Sequence, residues 1–112
     1  MCFSATASFV TGGALGSAGA VAMRASGGIS RRPIAAVPFL FGAQQLVEGA
    51  VWISLGHPAA HASATLGFLL FSHVLWPSYL PYAVWKEETD RRRRDALAWC
   101  VWFGSAVSLY LL

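Results

Sequence analysis

Charge is what this sequence lacks most. From Pro33 to Trp85 only Glu48 carries a formal charge. Of 112 residues, 12% are charged and 56% are hydrophobic, whereas a water-soluble domain carries about 25% charged residues. All eight Lys and Arg fall in two short stretches, Arg24 to Arg32 and Lys86 to Arg94. A soluble fold spreads charge over its surface; this chain confines it to places where membrane anchors belong. The net charge of +3 therefore gives no reason to expect a nucleic-acid partner. Cysteine is scarce too: Cys2 and Cys100 cannot build a disulfide framework. Lysine is limited to Lys86 at the edge of an apolar stretch, which argues against a retinal Schiff base within the membrane. The first 23 residues have no positive n-region, so the first apolar segment is expected to stay in the mature protein. No stretch alternates with period two, which disfavours a β-barrel.

What is present is a set of apolar stretches near the roughly 20 residues that a membrane-crossing helix needs. They cover about residues 5–23, 33–56, 62–85 and 96–112. The connections are short, so sequential helices should be antiparallel neighbours. The expected fold is all-α, a single membrane-embedded up-down bundle of four transmembrane helices. The first loop holds three Lys or Arg and the third holds five, while the second loop and both tails hold none. Positively charged loops stay in the cytoplasm, which predicts both termini outside. On that topology Cys2 and Cys100 lie near opposite faces, so an intrachain bridge is not expected. The third loop also pairs Glu87 with Arg91, Glu88 with Arg92 and Asp90 with Arg94 at helical spacing, which predicts a helix running on past the membrane edge. Tyr82, Trp85 and Trp99 then fall near the cytoplasmic interface, and Trp52 and Tyr110 near the outer one, as anchoring rings do. The run Arg91 to Arg94 reads as a topology anchor or a contact for anionic lipid.

The chemistry concentrates around Glu48. An ionised carboxylate at mid-helix costs on the order of 2.5–3.5 kcal/mol on insertion scales, so a neighbour must offset it. Gln44, Gln45 and Trp52 share its helical face, and Gly49 allows another helix close. In the third span, His73 is the only intramembrane histidine, and Trp76 follows one turn later. Pro77 removes the amide that would bond the His73 carbonyl. Counting 1.5 Å per residue puts Gln44 and His73 at one depth, with Glu48 a turn nearer the outside. Gln44, Gln45, Glu48, His73, Trp52 and Trp76 are therefore the candidate ligand-binding residues. Glu48 and His73 are candidate ligands for a transition metal. Cys2 with His57 and His61 could supply a second, outer set, since thiolate and imidazole suit copper or zinc. The bland alternative is interhelical glue, worth about 0.6 kcal/mol per hydrogen bond on average. No catalytic residue can be named.

Gly12 and Gly16, with Gly13, Gly19 and Ala20 nearby, make the first span a close-packing helix. The opening Met1-Cys2-Phe3-Ser4-Ala5-Thr6-Ala7-Ser8-Phe9 and the motif Phe41-Gly42-x-Gln44-Gln45-x-x-Glu48-Gly49-x-x-Trp52 resemble an uncharacterised family of bacterial integral membrane proteins. Trp76-Pro77 ahead of a charged loop resembles it as well. The resemblance implies a multi-pass protein of the bacterial cytoplasmic membrane, and lends no activity. Members tend to be longer, with more hydrophobic segments, so this chain, ending at Leu111-Leu112, is expected to be a short form or part of a longer product. Three functional classes stay open. The chain could bind a ligand, metal or cofactor at the polar cluster, as an accessory subunit of a larger membrane complex or as a homo-oligomer. It could be a proton- or ion-coupled transporter. It could be a purely structural membrane subunit. Haem with two axial histidines would need His73 from two copies.

Overall fold

The computed structural model describes residues 4–112, and every regular element among them is helical. Helix α1 (Ala5–Ala25) starts where the Ser4 hydroxyl accepts from the Ala7 amide at 3.2 Å. It stops just before Gly27, whose φ of 61° is the left-handed conformation that closes helix ends and that glycine adopts without strain. A four-residue helix α2 (Arg32–Ala35) and α3 (Val37–Ile53) follow as one bent segment. The bend has a local cause: Pro38 lacks the amide that an unbroken helix would offer to the Ile34 carbonyl. Helix α4 (Pro58–Leu69) runs through a widened π-turn (Leu70–Leu75) into α5 (Trp76–Glu87). In that turn the Trp76 amide bonds the Phe71 carbonyl, five residues back. Helix α6 (Arg91–Leu111) is capped by Asp90, whose carboxylate accepts from the Arg93 amide at 3.0 Å.

Glycine sets the packing. Helix α1 lies antiparallel on α3, with Gly19 against the Phe39 backbone and Gly12 against Leu46. A Cβ on Gly42 would sit 2.8 Å from the Gly12 carbonyl oxygen and 2.8 Å from the Gly16 Cα, so these backbones touch. Helices α5 and α6 meet in a similar way for a different reason. Pro81 has no amide for the Pro77 carbonyl, and that oxygen lies against Gly104, where no side chain would fit. One turn away, the Ser108 hydroxyl bonds the Val74 carbonyl at 2.7 Å and its own Gly104 carbonyl at 3.0 Å.

The two close pairs, α1/α3 and α5/α6, join through α3 with α4 and α2 with α5. Sequential helices are antiparallel neighbours, as expected. They do not close into a four-cornered bundle, however: α1 and α6 occupy the two ends of a flat row measuring 51 × 34 × 19 Å. The third loop is helical at both ends, α5 running to Glu87 and α6 starting at Arg91, with a break between them that the charge spacing does not predict. Glu88 turns extended and its carboxylate takes the amides of Thr89 and Asp90 at 2.9 and 3.0 Å. The chain breaks there, and the three expected ion pairs give way to Arg31 with Glu87 at 3.8 Å. Both basic loops thereby reach one end of the molecule.

Two helical segments are long and apolar enough to cross a membrane, Arg32–Ile53 (22 residues) and Pro58–Glu87 (30 residues). Burial is inverted relative to a soluble fold. The buried side chains with polar groups are Ser8, Gln44, Glu48, Ser54 and Ser108, while Ala83 is the buried hydrophobic residue among the described positions. Trp99 is 77% exposed and Tyr110 is 88% exposed.

The glycine contacts generate a direct test. Gly104→Ala and Gly42→Val should each lower unfolding stability in detergent by about 1–3 kcal/mol, the range for forced overpacking. Gly13 faces open space, so Gly13→Ala should leave stability unchanged or raise it by up to about 1 kcal/mol. Equal melting temperatures for all three variants would contradict the backbone contacts.

Candidate functional site

Helix α3 buries two stripes. Gly42 and Gly49, seven apart, face α1, and a Cβ on Gly49 would meet the Phe9 ring at 2.8 Å. Gln44 and Glu48, four apart, form the second buried stripe. There the Trp76 indole N–H of α5 donates to Gln44 Oε1. The Phe41 ring, one turn before Gln44, stacks on Trp76 with centroids 4.3 Å apart and planes at 28°. Gln45 Nε2 donates to Glu48 Oε2 at 2.9 Å. Gln44, Gln45, Glu48 and Trp76 are thus brought into one zone, as the helical spacing predicts. Phe41 belongs with them. Its position three residues before Gln44 was the signal that could have found it.

His73 does not join them. It is exposed, and it lines a pocket of about 310 Å³ with Leu66, Leu70, Val74, Leu111 and Leu112, on the side of the row occupied by α6. The cause is the π-turn. In an α-helix His73 and Trp76 would share a face; a turn holding roughly one residue more rotates them apart. Trp76 then meets α3 while His73 turns toward α6. The Ser72 hydroxyl hydrogen goes to main-chain oxygen, Leu69 at 3.2 Å or Phe68 at 3.3 Å. Its oxygen is then left to accept from His73 Nδ1, 2.7 Å away. On that assignment the lone pair of the neutral imidazole sits on Nε2.

Trp52 is exposed on the flank, one turn beyond Glu48. His57 caps α4, and His61 Nδ1 lies 3.4 Å from the Ser54 hydroxyl, closing the turn between α3 and α4. Cys2 lies outside the described residues. Among those described, no three His, Cys, Asp or Glu side chains converge to hold a metal. Of the expected Glu48–His73 metal pair, Glu48 is buried on α3 whereas His73 is exposed in the pocket beside Leu111 and Leu112. The arrangement at Glu48 buries a carboxylate beside an amide donor and ties α3 to α5 through an indole hydrogen bond. It can fix the rotation of both helices.

Trp76→Phe keeps the stacking surface on Phe41 and removes the N–H. It should lower stability in detergent by about 0.6–1.7 kcal/mol, the range for interhelical hydrogen bonds in membrane proteins. A double-mutant cycle with Gln44→Leu should return most of that amount as coupling. Coupling near zero would show that the bond contributes nothing.

No curated protein and no solved structure matches the chain. A model for a family of unknown function, DUF6629, matches residues 1–111. With that match over nearly its whole length, the chain belongs to the DUF6629 family.

Proposed function

We propose that this protein is a four-span integral membrane protein of the bacterial cytoplasmic membrane, with both termini outside, acting as a non-catalytic structural subunit of a membrane assembly. The observation that carries the reading is the inverted burial. Lipid takes the place of water around large apolar side chains, and the contacts between helices are left to small and polar residues. A soluble core helix would be mostly buried, yet the most apolar window of Pro58–Glu87 is 0% buried. The gathering of both basic loops at one end supports a single cytoplasmic face.

For the polar cluster the structural role has the better support. The Gln44 carbonyl already takes the Trp76 proton, and Gln45 already serves Glu48. A proton or ion path would need further carboxylates or imidazoles along the spans, and of those types the apolar stretches hold Glu48 and His73. A second reading, binding of a membrane-soluble ligand, has one observation in its favour: the exposed His73 lines an apolar pocket. An absorption spectrum and mass analysis of the purified protein separate the two. A bound species that is lost in His73→Ala would overturn the purely structural role.

Topology is tested with reporter fusions. Gly28 and Asp90 should read cytoplasmic and Ala59 external, and the protein should stay in membranes washed with alkaline carbonate. A cytoplasmic signal at Ala59 would sink the orientation. Cys100 is exposed on α6, so an impermeant maleimide should fail to label it in intact membranes and succeed in denaturing detergent. Full labelling in intact cells would place it in water.

A further inference from the structure

Where the two basic loops meet, the end of α1, α2 and α5 line an open groove of about 440 Å³. Arg32 and Lys86 line it from different elements, beside Tyr82 and an apolar wall that includes Met23, Ile29 and Pro33. Lys86 is half-buried there. Two cations directed at one cavity repel each other unless a negative group lies between them, and half-burial weakens the screening by water.

The nearby acids Glu87, Glu88 and Asp90 are committed elsewhere. Glu87 pairs with Arg31, Glu88 takes the Thr89 and Asp90 amides, and Asp90 caps α6. Arg94 is occupied too, lying 4.7 Å from the centre of the Trp85 ring. Among the described residues no carboxylate lies within 4.0 Å of Arg32 or Lys86. The Tyr79 hydroxyl is spent on the Pro33 carbonyl at 2.9 Å, which holds α2 against α5 and keeps the pocket's shape. Arg32 is exposed and Lys86 half-buried, and neither is paired with a described carboxylate, so an anion from outside the chain can reach both.

We infer that this pocket binds the phosphate of an anionic phospholipid headgroup. Arg32 and Lys86 supply charge-assisted hydrogen bonds to phosphate oxygens, with the Tyr82 hydroxyl available as a neutral donor. The volume lies in the usual range of about 300–1,000 Å³ for small-molecule pockets. The apolar wall favours a lipid over a free anion, because it suits the first carbons of the acyl chains and offers nothing to a soluble phosphate. Basic pockets between membrane helices on the cytoplasmic side bind such headgroups through this combination. The inference rests on the membrane reading above.

The test is native mass spectrometry of the full chain in detergent, titrated with dioleoyl phosphatidylglycerol, dioleoyl phosphatidylcholine or glycerol phosphate. Phosphatidylglycerol should be retained in preference to phosphatidylcholine. Arg32→Gln and Lys86→Gln should each weaken retention about fivefold, the effect of roughly 1 kcal/mol per basic residue at a membrane surface. Lys86→Arg should keep it. The control Arg24→Gln removes one charge from the last turn of α1, outside the pocket lining, and should bind as the wild type does. Circular dichroism melts establish that each variant is folded. Equal retention of both lipids overturns the inference, as does an equal loss in the Arg24 control. Displacement of phosphatidylglycerol by glycerol phosphate would assign the pocket to a soluble anion and also overturn it. The carbonate wash separates the two proposals: release from membranes sinks the membrane reading, whereas retention without lipid preference sinks only this one.

Discussion

The structure depends on helix backbones coming into contact. At Gly12, Gly19 and Gly42, and again where Pro77 meets Gly104, there is no room for a Cβ. Burying bare backbone in this way gives dense van der Waals contact with almost no side-chain entropy to lose. It also decides where the large residues go. With the seams closed by glycine, Trp99, Trp102, Phe103 and Tyr110 have nowhere to turn but outward. That pattern is sustainable in lipid, which is as apolar as those side chains, and would be a broad aggregation surface in water.

Three prolines tune the geometry around those seams. Pro38 bends α2 from α3. Pro81 frees the Pro77 carbonyl that seats Gly104. Pro77 follows the π-turn, in which the Trp76 amide reaches back to Phe71. Each deletes one main-chain donor. Beside these breaks, Ser78 and Ser108 both donate to the Val74 carbonyl, at 2.9 and 2.7 Å. The Ser108 bond crosses from α6 to the π-turn and ties the two segments together where the regular helix is interrupted.

This division explains what could be read from the sequence and what could not. The Gln44–Glu48 stripe follows directly from helical periodicity, whereas on α1 the buried line runs through Ser8, Gly12 and Gly19, with Gly13 and Gly16 offering their Cβ positions to open space. The positions of His73 and of the third loop did not follow, because each depends on a departure from regular helix. A π-turn leaves no clear periodic trace, and an extra residue in one turn is enough to carry His73 from the α3 side to the α6 side. In the third loop, the charges that looked like helical ion pairs include Glu88 and Asp90, whose carboxylates bond nearby amides instead and stop one helix while starting the next. Local capping outcompeted exposed pairs worth only about 0.2–0.5 kcal/mol each.

The seam between the two glycine-closed pairs is of another kind. Where α3 meets α4, a Cβ on Gly67 would find Val47 at 3.3 Å, and no backbone-to-backbone contact supports it. Its directional links are Trp76 to Gln44, Tyr79 to Pro33 and, at the basic end, Arg31 to Glu87. Dispersion between smooth apolar surfaces would tolerate sliding or rotation of one pair against the other. A hydrogen bond from an indole to a buried amide does not, because both partners lose their only nearby match when either helix turns. The long polar side chains therefore sit where glycine packing is absent, and small residues, serine among them, line the seams where backbones meet. On that logic Glu48 belongs with the seam: its carboxylate engages Gln45, the neighbour of the residue that makes the crossing bond.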